Sequence, residues 1–177
     1  MPRLSLTAAI LLVAALPVAA QDTPSAMASF IGVDGAELGS VTLTQGNSSV
    51  AITGDIMGIP AGDHGFHFHE TGDCDGADNF ESAGAHFNPT DHQHGLENPR
   101  GPHAGDLPNL SVTSDTTTAI TLDSDLISLA EGDPAYVFDA DGTALVIHAS
   151  ADDNVTDPSG DSGDRIACAV IEANTAP

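Results

Sequence analysis

Residues 65–70 read GFHFHE, and this alternation of aromatic and imidazole side chains is the period-two pattern of a β-strand. Side chains at i and i+2 leave the same face of a strand about 6 to 7 Å apart, so Phe66 and Phe68 share one face and His67 and His69 the other. The phenylalanine face belongs to a core. The two imidazoles then converge on the opposite side, at a spacing that suits copper or zinc. Taken alone, the pair also fits two solvent-exposed histidines, and the rest of the chain has to decide.

Working outward, period-two segments rich in Thr, Val and Ile recur at 29–33, 40–44, 49–56, 117–122, 144–148 and 165–171. Gly35, Gly46-Asn47, Gly62-Asp63 and Asp141-Gly142 supply turn chemistry between them. No amphipathic helix of three turns can be read anywhere. Short strands with frequent turns predict an antiparallel sandwich or barrel. Two stretches break the pattern, 70–108 and 151–164, the latter ADDNVTDPSGDSGD. Loops this long are uncommon in compact domains unless functional or disordered, so the first needs something to order it.

Histidine is the candidate. Seven of the eight histidines fall between His64 and His103, and the eighth is His148. Residues 83–110, AGAHFNPTDHQHGLENPRGPHAGDLPNL, offer His86, His94, His103 and Asp106 in a stretch read as having little apolar content to fold it. Three imidazoles and a carboxylate make a closed tetrahedral zinc site, which contributes folding free energy directly. His148 ends the apolar run ALVIH and would be expensive to leave unpaired. By itself it reads as a satisfied core histidine.

The N-terminus bounds the setting. Met-Pro-Arg, the apolar stretch Leu4 to Val18 and Ala19-Ala20 form the pattern of a secretory signal peptide, 1–20, leaving one domain at 21–177. The segment is marginal as a membrane anchor, and no later run is long or apolar enough to span, so no stable membrane association is expected. Export would be to the periplasm or the extracellular space. Cleavage removes Arg3 and no acid, taking the formal charge from −23 to −24. Such a surface repels phosphate backbones and excludes nucleic acid as a partner. Two cysteines in an exported chain, Cys74 and Cys168, suggest one disulfide. A catalytic or metal-bound thiol competes weakly, since neither lies in a CxxC or beside a histidine.

The order and spacing of GFHFHE, SAGAHFNP, HAGDLPNL, ALVIHASADD and GDRIACAVI resemble the copper/zinc superoxide dismutase family across the whole mature domain. The resemblance implies an eight-stranded antiparallel Greek-key barrel, an immunoglobulin-like sandwich, with two long functional loops. It implies one copper and one zinc per subunit, with copper on His67, His69, His86 and His148 and zinc on His86, His94, His103 and Asp106. Asp152 would accept hydrogen bonds from His67 and His94, and Cys74–Cys168 would be the family's disulfide. The implied activity is disproportionation of superoxide by copper alternating between Cu(II) and Cu(I), with His86 carrying a proton and Arg165 attracting and orienting the anion. Superoxide is then the partner, with a homodimer possible. His64 and His92 have no family role and are expected at the surface, and Arg100 in a loop.

Two readings from other classes keep the ligands without the reaction: a copper carrier or zinc store on the same barrel, and an acidic domain that keeps zinc for folding. Neither gives Arg165 a purpose. One departure stands out within the resemblance. Where many relatives carry lysines before the arginine, residues 151–164 hold five aspartates and no lysine, which predicts weak or adverse long-range steering of an anion.

Overall fold

The computed structural model describes residues 23–113 and 116–174; the expected signal peptide lies outside them. Among the described residues nine strands form, all paired antiparallel. They are β1 (Ser25–Gly32), β2 (Glu37–Gln45), β3 (Val50–Ile56), β4 (Gly62–His64), β5 (Phe66–His69), β6 (Leu110–Val112), β7 (Thr118–Ser124), β8 (Ala144–His148) and β9 (Arg165–Ala173). Seven make one curled sheet in the order β5-β8-β9-β1-β2-β3-β7, and β4 pairs with β6 in a small second sheet. The all-β architecture agrees with the sequence reading. The only helical pieces among the described residues are two single 3₁₀ turns, Gly76–Asp78 and Glu81–Ala83, and no helix is long and apolar enough to cross a membrane.

Period-two patterning explains which face each strand buries. In β1, Ala26, Ala28 and Phe30 enter the core while Met27 and Ser29 face out. The main core stacks Phe30, Leu43, Ile52, Ile120, Leu145 and Ile147 against Phe66 and Phe68, all essentially inaccessible. Each fully buried aliphatic or aromatic side chain contributes about 1.5–3 kcal/mol. β8 is buried on both faces, which is why ALVIH is continuously apolar. Leu145 and Ile147 point to the main core, whereas Ala144 and Val146 pack with Phe80, Ala83 and Cys168 in a second cluster.

That second cluster anchors the long loop at 70–108. Cys74 and Cys168 are bonded across 94 residues, tying the loop to β9; the chain-entropy model assigns about 4 kcal/mol to a closure of that size. The expectation of little apolar content in this region needs correction. Phe80, Phe87 and Leu107 are each no more than 3% exposed, spaced too widely along the chain to read as a hydrophobic segment. Backbone bonds complete the docking onto β5: Phe68 N–H to Gly105 O, Phe87 N–H to Phe68 O and Gly105 N–H to Phe87 O, each 2.8 Å. Gly105 is required by this close approach, since a Cβ there would collide with the Phe68 carbonyl.

Candidate metal centre

β5 and β8 are neighbours, with His67 opposite Val146 and His69 opposite Ala144. Their shared outer face carries His67, His69 and, by alternation with Ala144 and Val146, the ring of His148. The ring centroids of His67 and His148 lie 4.9 Å apart, and those of His69 and His148 lie 5.6 Å apart. The long loop supplies the rest through two isolated antiparallel bridges, His69 with His86 and His67 with Asp106. One strand pair and one docked loop thus bring together six imidazoles and a carboxylate, all buried.

Each strand-borne imidazole has one nitrogen on an acceptor and the other turned inward. His67 Nε2–H donates to Asp152 Oδ2 at 2.6 Å, His69 Nδ1–H to Gly84 O at 3.0 Å, and His148 Nδ1–H to Gly163 O at 3.1 Å. That leaves His69 Nε2 and His148 Nε2 facing one another at 3.4 Å, lone pair toward lone pair. Such an arrangement calls for a cation between them. His67 Nδ1 and His86 Nε2, aimed into the same space, are buried without a hydrogen-bond partner. Four nitrogens with available lone pairs are a fit for copper.

The second group turns on Asp106. Its Oδ2 accepts from the backbone N–H groups of Gly95 at 2.8 Å and His103 at 2.9 Å, which fixes the carboxylate. Its Oδ1 then faces Nδ1 of His86 at 3.1 Å, His94 at 3.0 Å and His103 at 3.4 Å, the last without hydrogen-bond geometry. Three nitrogens and one oxygen in a closed pocket match the donor set of structural zinc. His86 presents Nδ1 to this group and Nε2 to the other. In both groups the candidate donor atoms lie within 4.8 Å of one another.

The sequence matches the family described as copper/zinc superoxide dismutase over residues 37–171. The chain belongs to that family. It is 40% identical over 146 residues to a copper-zinc superoxide dismutase of Aquifex aeolicus, covering 82% of this chain and 86% of that one. A copper-zinc superoxide dismutase of Caulobacter vibrioides is 43% identical over 142 residues, 78% and 80% of the two chains. Among solved structures, a superoxide dismutase-like protein from Bacillus subtilis superposes with a TM-score of 0.77 at 37% identity, covering 81% of this chain and 96% of that one. The ligand sets of a copper/zinc superoxide dismutase are intact: His67, His69, His86 and His148 for copper, and His86, His94, His103 and Asp106 for zinc.

Protonation of the dismutase ligands follows from burial and partners. Burial lowers His67 and lowers His69 well below the ordinary imidazole value; it takes His86 down to about 4 and His148 to about 3. These four rings are neutral near pH 7, with lone pairs available. His94 differs. Burial opposes its charge, but hydrogen bonds to Asp106 and Asp152 outweigh that and carry it up to about 9. Burial also works against the two carboxylates, yet the close imidazoles of His103, His86 and His94 hold Asp106, and hydrogen bonds from His67 and His94 hold Asp152, well below the carboxylate range.

Asp152 links the two halves, taking His67 Nε2–H on Oδ2 and His94 Nε2–H on Oδ1 at 3.0 Å. Gly160, at φ +63°, passes so close that a Cβ would collide with Asp152 Oδ1. Asn109 clamps the same residue: its amide donates to Asp152 O and its carbonyl accepts Asp152 N–H, both at 2.8 Å. Nothing in the spacing of HAGDLPNL marks Asn109 for this role, because its partners are main-chain atoms.

His64, expected at the surface, is 3% exposed. Its Nδ1 lies 2.7 Å from His148 O and its Nε2 2.9 Å from Pro60 O, so it ties the end of β8 to the turn before β4. Parity was the signal that could have found it, since positions 64, 66 and 68 alternate onto the core side. His92 is exposed, its ring Nδ1 3.0 Å from Pro102 O and its backbone bonded to the Asn88 side chain, and Arg100 lies in an exposed loop. Arg165, first residue of β9, donates from Nη1 to Phe80 O at 2.5 Å and from Nη2 to Gly84 O at 2.6 Å. It lines a cavity of about 630 Å³ together with His69, His86 and His148.

Proposed function

We propose that the mature chain, residues 21–177 after export, converts two superoxide anions and two protons into dioxygen and hydrogen peroxide in an oxidising compartment outside the cytoplasm. The Cys74–Cys168 disulfide suits that compartment. The observation that carries the reading is Arg165, whose guanidinium shares one cavity with His69, His86 and His148. A metal store or structural zinc domain has no use for a cation there.

Copper, when bound, supplies the one-electron couple, and zinc, lacking a second accessible oxidation state, supports the shared ligand. The side chains divide the remaining work. Arg165 is held by two carbonyls at a fixed angle and attracts and orients the anion in the cavity. His86 holds and releases a proton at Nε2, while its Nδ1 faces Asp106. Asp152 sets the orientation of His67 and His94 from outside the ligand shell.

Reconstitution with copper and zinc tests the proposal. Superoxide turnover should appear, azide should perturb the copper spectrum, and Arg165→Ala should lower turnover by about tenfold or more with copper content unchanged. Bound zinc without turnover would favour a metal-binding module and contradict the enzyme.

A further inference from the structure

The mouth of the Arg165 cavity carries charges arranged against an anion. Arg165 sits inside, its side chain 16% exposed and its terminal nitrogens engaged by Phe80 O and Gly84 O. Glu81, in the 3₁₀ turn between those two carbonyls, lines the same mouth with its side chain 75% exposed; its Oε2 is 3.9 Å from Arg165 Nη2. Asp164, exposed and adjacent in sequence to Arg165, also lines the cavity. The rest of the outer lining, including Val33, Pro158 and Ser159, is uncharged. The remaining cation of the mature chain, Arg100, is not part of it.

Exposure decides which charge an approaching ion meets first. Two carboxylates face solvent and the guanidinium lies behind them, in a cleft whose walls focus the field. We infer that Glu81 and Asp164 form an anion-opposing rim that slows the arrival of superoxide and keeps polyanions from the site. The inference rests on the proposed function for its substrate. A dianion is opposed twice as strongly as a monoanion, so the rim selects a small, singly charged anion that Arg165 captures once inside.

The test uses the copper- and zinc-loaded protein and compares wild type, Glu81→Gln/Asp164→Asn, and Asp123→Asn as a control. Asp123 is exposed on β7 at the far edge of the sheet, and Asp123→Asn removes one acid away from the mouth. At about 10 mM salt the double variant should react with superoxide roughly three- to fivefold faster than wild type, and the gain should vanish near 0.3 M as screening shortens to several ångströms. Hydrogenphosphate should inhibit the double variant more strongly than wild type. Asp123→Asn should resemble wild type in both. A double variant indistinguishable from Asp123→Asn, or a wild-type rate that falls steeply with salt, would overturn the rim. Absence of turnover in every protein would strike the proposed function instead, and azide affinity read from the copper spectrum would then decide the rim: tighter in the double variant supports it, equal overturns it. A chain that takes up no copper would end both.

Discussion

Copper ligands and zinc ligands are positioned by different physics, although His86 belongs to both. Three of the four copper ligands stand on β5 and β8, whose opposite face carries Phe66, Phe68, Leu145 and Ile147 in the main core. Apolar burial fixes their geometry before any ion arrives. The zinc ligands lie on a loop, and what gathers them is the Asp106 carboxylate with its two backbone donors and its ring of imidazoles. The lesson is that one half is a product of the fold, whereas the other half contributes to it.

Removing the hub should break this comparison most strongly. Asp106→Ala deletes a ligand and the atom on which three imidazoles converge, so zinc affinity should fall by more than about 100-fold. Copper affinity should fall far less, by about tenfold or under, because β5 and β8 remain. Equilibrium competition with a chelator reads both metals. Equal losses of the two would mean that the halves are not built independently.

A smaller effect comes from pH, measured on protein stripped of metal by chelation. His86 and His148 have depressed folded values, so their contribution is complete above about 6.5 and is lost as pH falls toward 4 and 3. His94 has a raised value, so its contribution is present below about 6.5 and is lost as pH rises through about 9. The urea midpoint should therefore peak between pH 6 and 7 and drop by about 1 M on either side. A midpoint flat from pH 5 to 9 would contradict these assignments.

The strand half was the more legible in sequence, and the reason is local. His67 and His69 declare their face through Phe66 and Phe68, and the double burial of β8 makes ALVIH continuous. The loop half hid its supports. Phe80, Phe87 and Leu107 are anchors separated by many polar residues, and the bridges of His86 and Asp106 to β5 use backbone groups that no side-chain pattern records. The same limit explains His64 and Asn109, which bond to main-chain atoms of His148 and Asp152 rather than to side chains that a spacing could announce. Three-residue β6 was too short for its alternation to register, and β1 and β9 run beyond their predicted segments at Ser25 and Ala173.

The most direct test of the shared imidazole is a crystal structure of the protein loaded with both metals. His86 should bind copper through Nε2 and zinc through Nδ1, with His67, His69 and His148 completing the copper shell and His94, His103 and Asp106 the zinc shell. An ion bound on only one side of His86, or copper held without His148, would contradict the account.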